Sequence, residues 1–110
     1  MDATTGIESI SRVQDILDLH AVMQDDEFQN ALDLALSYLV APSDRLPNAA
    51  KVAVTMAQLS AYAALFRVQF ANYMGFQKSD PDRTGKKNAY KELYQGIDNL
   101  VDSLKYLARQ

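Results

Sequence analysis

The chain has 110 residues, a net charge of −3, 48% hydrophobic residues and no cysteine. That is enough for one domain with a single core, and it excludes disulfides, thiolate chemistry and cysteine-based zinc or iron–sulfur sites. The charge is unevenly spread: residues 1–44 hold nine acids against one base, Arg12, whereas residues 45–110 hold ten bases against five acids. Such a dipolar chain either pairs its own halves, within the fold or between subunits, or turns its basic part toward an anionic partner.

Four helices are legible and no strand is, so the expected fold is all-α: an elongated hairpin or bundle with one long central helix. The first helix is predicted over 7–23. Ile10, Val13, Leu17 and His20 form one stripe, flanked by Ile16, Leu19 and Met23. The second is predicted over 26–41, with Phe28, Leu32, Ala35, Leu36 and Leu39 at helical spacing. Asp25, Asp26 and Glu27 suit its positive N-terminus, and Pro42 stops it. "PSDRLP" (42–47) is a tight connector in which Ser43 or Asp44 is suited to cap the next helix, with Pro47 in its first turn.

The third helix is predicted from Asp44 to Gln77. About 30 helical residues span about 45 Å, longer than a compact 110-residue globule of radius of gyration near 13 Å. The domain is therefore either elongated or sends this helix into a neighbouring subunit. Its faces favour self-association. Ala50, Ala57, Ala64 and Ala71 recur every seven residues, with Ala53 and Ser60 in the same seam. A second stripe is bulky (Val52, Met56, Leu59, Phe66, Phe70, Tyr73), and a third holds Val54, Ala61, Leu65 and Val68. A helix apolar on most sides needs cover on most sides, so the small-residue seam is the expected oligomer interface.

The fourth helix is predicted over 86–108, with Tyr90, Leu93, Tyr94, Ile97, Leu100, Val101, Leu104 and Leu107 on its buried stripe. Gly96 lies inside it and suggests a close contact, for example with the third helix. No signal peptide is expected, because acids and Arg12 interrupt the early apolar residues. The most apolar run, between Lys51 and Arg67, is shorter than the roughly 20 residues of a membrane span. A soluble, cytoplasmic protein with no membrane partner is the expectation.

One stretch, "SDPDRTGKKNAYKE" (79–92), has the look of a chemical motif. As a calcium loop it offers Asp80, Asp82, Thr84 and Gly85 at the first positions. However, Lys91 stands where the closing bidentate Glu is needed, and Lys86 and Lys87 repel a cation. As a phosphate loop, "TGKKN" lacks the leading glycine and any βαβ setting. The simplest reading is a helix start, capped by Asp80 with Pro81 following, or by Thr84. An anion contact is the sharper reading: Arg67, Lys78, Arg83, Lys86, Lys87 and Lys91 lie near Tyr73, Phe76, Tyr90 and Tyr94. Bases and rings together suit a single nucleic-acid strand.

Enzymatic constellations are missing. His20 is the single histidine, and with no cysteine there is no nucleophile–base pair. No ExxH pair of a di-iron bundle occurs, so neither metal nor cofactor is expected.

The order of features from about 36 to 110 resembles the UvsY family of recombination mediators, small phage proteins. The similar segments are "YAALFRVQFANYMGF", "KSDPDRTGKKNAYK" and "YQGIDNLVDSLKYLAR". The resemblance implies a helical, ring-like oligomer in the host cytoplasm that binds single-stranded DNA while helping to load a recombinase. Arg67, Lys78, Arg83, Lys86, Lys87 and Lys91 would then face the DNA, and the long helix would carry subunit contacts. The rival expectation is a protein-interaction module, a virion component or an inhibitor of a host protein. Its contact surface would be the acidic first third, with Asp15, Asp18, Asp25 and Asp26.

Overall fold

The computed structural model describes residues 6–11, 13, 26–40, 47–76 and 78–109. All the regular structure among them is helical: α1, of which 6–11 and 13 are described, α2 (Asp26–Leu39), α3 (Ala49–Phe76) and α4 (Arg83–Ala108). The protein is an all-α bundle. Its centre is a long hairpin of α3 and α4, with α2 laid mainly along α3. The molecule measures 53 × 22 × 20 Å, with a radius of gyration of 14.9 Å. The long helix lies along the long axis of an elongated fold.

The core is built from one stripe of each helix. Ile10 and Val13 come from α1, and Phe28, Ala31 and Ala35 from α2. Val52, Leu59, Ala63 and Phe66 come from α3, and Leu93, Ile97, Leu100 and Leu104 from α4. Burial of each large side chain of this kind contributes about 1.5–3 kcal/mol. Phe28 joins α2 to α3, with its ring centroid 4.6 Å from that of Tyr62 and 6.0 Å, edge-on, from that of Phe66. The bulky stripe predicted for α3 is buried or half-buried as expected, and so is the α4 stripe. The polar Thr55 is also buried, because its hydroxyl is satisfied by the Lys51 carbonyl one turn back, at 3.2 Å.

Four sequence expectations shift. α3 starts at Ala49, not Asp44. Asn48 accepts from the amides of Ala50 and Lys51 at 2.9 and 3.3 Å, and its carbonyl accepts from Val52. Asn is a strong N-cap, so Pro47 lies before the cap rather than within the first turn; Ser43 and Asp44 lie outside the described residues. In α2, Leu36 sits off the buried face and Ala31 takes the core position. Leu36 instead lines a cavity of about 200 Å³ between α1 and α2, with Ile7, Ile10 and Leu32.

Gly96 does make a close contact, but with α1 and not with α3. A Cβ on Gly96 would lie 2.8 Å from the Gly6 carbonyl oxygen, and one on Gly6 would lie 2.7 Å from the Gly96 carbonyl oxygen. Two backbones meet there, and only paired glycines allow it. Finally, the charges that bound the apolar run do not interrupt the helix. Ala49–Gly75 is long and apolar enough, by length and composition alone, to cross a membrane. The predicted remainder of α1, including Leu17, His20 and Met23, lies outside the described residues.

Candidate functional site: the outer face of α3 and the basic tip

α3 is apolar all round, yet α2 and α4 cover only one side of it. Of its 28 residues, sixteen are exposed, and Lys51 and Arg67 are the only charges among them. The predicted seam of Ala50, Ala53, Ala57, Ser60, Ala64 and Ala71 is exposed along its whole length. So is the third stripe: Val54 and Val68 are each 58% exposed and Leu65 40%. Leu34 of α2, 42% exposed, extends this surface sideways. Two shallow grooves of about 430 and 280 Å³ run between α2 and α3 along its edge and share Gln58. A helix placed this way has half its circumference dressed for burial and left in solvent.

At the far end, residues 78–82 turn the chain between α3 and α4 around the carboxylate of Asp80. Its Oδ1 accepts from the Asp82 amide at 2.8 Å, an Asx turn of the kind short acidic side chains make. Its Oδ2 receives the Tyr73 hydroxyl at 2.7 Å and the Lys86 ammonium at 2.9 Å. Asp80 therefore does not cap α4. Asp82 occupies that position without a side-chain cap bond, and Thr84 lies within the helix.

The hydrogen bonds from Lys86, Tyr73 and the Asp82 amide hold the Asp80 carboxyl down at about 2. The same bond to Asp80 raises Lys86. Burial, then the bond to Asp80, raises Tyr73, and burial raises Tyr90.

The cations predicted to meet an anion fall into two groups. Arg67 pairs with Asp98, and its guanidinium lies 4.7 Å from the centroid of the Tyr94 ring. Arg83 donates to the Met74 carbonyl at 3.2 Å, which caps the C-terminal end of α3. Lys86 is held by Asp80 and lies 5.9 Å from the Tyr73 ring. These three are engaged in joining α3 to α4. Lys78, Lys87 and Lys91 make no ion pair among the described residues.

The rings near them are packed together: Tyr73 against Tyr90 at 5.8 Å, and Phe70 against Tyr90 and Tyr94, each at 6.1 Å. The side chain of Phe76 is outside the described residues.

Both of these ion pairs lie within the basic half of the chain, so neither ties that half to the acidic third. Of the acids in that third, Asp15, Asp18 and Asp25 lie outside the described residues. Asp26 and Glu27 occupy the first turn of α2, where the helix dipole favours them. Among the described residues no group of histidine and carboxylate side chains is arranged to hold a metal ion. The sequence missed Asp80 as the hub of the tip. The signal was present: an Asx residue three before the helix start, with Tyr and Lys within seven residues on either side.

No protein-family model matches the chain, and neither a curated protein nor a solved structure is significantly similar to it.

Proposed function

We propose that the chain is a non-catalytic helical protein that works by assembling with copies of itself through the outer face of α3. The observation that carries this reading is the combination of length, apolarity and exposure on that face. An exposed contiguous apolar patch of this extent marks an association surface in soluble proteins. The small residues within it let a second backbone approach closely.

Solution mass by light scattering or sedimentation tests the reading. An oligomer that becomes monomeric on Val68→Asp supports it. A strict monomer at high concentration overturns it, as does a monomer that binds phosphatidylcholine vesicles instead.

What the assembly holds is a second question. We infer that it is a single nucleic-acid strand, gathered by Lys78, Lys87 and Lys91 of each tip. Their lack of ion-pair partners among the described residues favours this, and the resemblance to recombination mediators of phage points the same way. Three phosphate contacts on a single strand give a slope of about −2 in log affinity against log salt. Oligonucleotide binding should therefore weaken about twentyfold between 50 and 200 mM salt. Affinity that is absent at low salt, or unchanged over that range, rules the strand out. Capture of a protein partner that is lost on neutralising Asp15, Asp18, Asp25 and Asp26 together would favour the acidic third instead.

A further inference from the structure

The exposed half of α3 also carries information about how a second copy lies on it. Half the circumference of a helix about 10 Å across and about 42 Å long offers about 650 Å². A stable interface needs about 800 Å² from each partner. The shortfall is small, and Leu34 with the two grooves beside α2 lies next to the face to supply it. The occupant must be apolar, long and nearly free of charge, and the face itself has those properties.

Its central line runs Val54, Ala57, Ala61, Ala64, Val68, Ala71, at alternating steps of three and four. That is the seam of a two-stranded coil, with Val54, Ala61 and Val68 in one layer set and Ala57, Ala64 and Ala71 in the other.

From this ladder we infer that two copies pair α3 on α3 in antiparallel orientation, with Val54 of each over Ala71 of the other. The inference rests on the self-association proposed above. In a parallel pair each residue meets its own copy. Val54 and Val68 would hold the helices apart while the alanine layers between them stayed loose. In the antiparallel pair Val54 meets Ala71, Ala57 meets Val68 and Ala61 meets Ala64. Every valine then faces an alanine, large against small, and the helices approach evenly to about 8 Å. The two helix dipoles also oppose rather than add. A register displaced by seven residues keeps valine on alanine, but it lays the Lys51 flank against Leu65. In the register inferred here Lys51 lies beside Asn72, whose side-chain oxygen can accept a hydrogen bond from the ammonium.

The absence of cysteine makes the test direct. Val54→Cys and Ala71→Cys are made singly in the full chain, at positions already exposed, and each is confirmed to be folded and oligomeric. They are then co-refolded as a mixture and oxidised mildly. A disulfide needs Cα atoms within about 7 Å. In the antiparallel pair a residue and its own copy stand 17 residues apart along the axis, about 25 Å. The mixture should therefore give the mixed covalent dimer, and each variant alone should give none. Self-cross-linking of both variants shows a parallel pair and overturns the inference. An oligomer without any cross-link also overturns it, while leaving self-association standing. A monomer overturns self-association and the inference together.

Discussion

The two faces of α3 are both largely apolar and have opposite fates. Val52, Leu59, Ala63 and Phe66 on the inner face are buried against α2 and α4. On the outer face Val54, Ala57, Leu65 and Val68 are left exposed. Hydrophobicity alone does not distinguish them, so the difference must lie in what each face packs against. Bulk is the other contrast. The inner face carries phenylalanine and leucine that fill space between helices of one chain. The outer face carries alanine and valine, which suit a close approach by a single straight partner.

Substitutions that treat the faces alike should make them diverge. The largest effect is expected for Phe66→Ala. It opens a cavity between α2, α3 and α4 and should cost about 3–5 kcal/mol, read as a fall in the urea midpoint. Leu59→Ala should follow at about 2–5 kcal/mol. If either loss were below 1 kcal/mol, the inner face would not be the core. Gly96→Ala comes next. The added methyl must displace the Gly6 backbone, an overpacking cost of about 1–3 kcal/mol, against which better helix propensity returns up to about 1 kcal/mol. A net loss, accompanied by faster hydrogen exchange in residues 6–11, is the expected result.

Val68→Asp on the outer face should leave the stability of the isolated chain within about 0.5 kcal/mol and lower the solution mass. The smallest effect is expected at the tip. The Asp80 carboxyl sits near 2 in the fold, below its ordinary value near 4. Its contribution is therefore fully present above pH 4 and is lost as pH falls through 2. Asp80→Asn should flatten that part of the acid-unfolding curve and leave the curve above pH 5 parallel to the parent's.

Much of the architecture was legible in the chain. Periodicity located the helices, because a buried stripe at helical spacing is written in residue types: Leu93, Ile97, Leu100 and Leu104 fall where the pattern puts them. Boundaries were less legible. Asp44 and Asn48 are both capping residues, and only the hydrogen bonds of Asn48 to Ala50 and Lys51 separate them. Gly96 announced a close contact but not its partner, since a missing side chain carries no address; the address is Gly6, whose identity matters only in three dimensions.

The candidate site divides in the same way. The alanine seam was readable as a spacing, and its exposure was not, because a helix apolar all round does not say which side its own chain covers. The six basic residues were readable as a cluster. That Arg67, Arg83 and Lys86 are tied to Asp98, the Met74 carbonyl and Asp80 depends on partners that composition cannot assign.

The reversal at Asp80 also bears on the order in which the fold assembles. α3 and α4 are joined by residues 77–82 alone, so their contacts link neighbours along the chain and require little conformational search. The Gly6–Gly96 crossing links its distant ends and has to wait for the hairpin surface that contains Gly96. In refolding, helical signal and hairpin burial should therefore precede protection of residues 6–11. During that interval the surface of α4 around Gly96 stays uncovered, and copies that meet then can pair by it instead of by the outer face of α3.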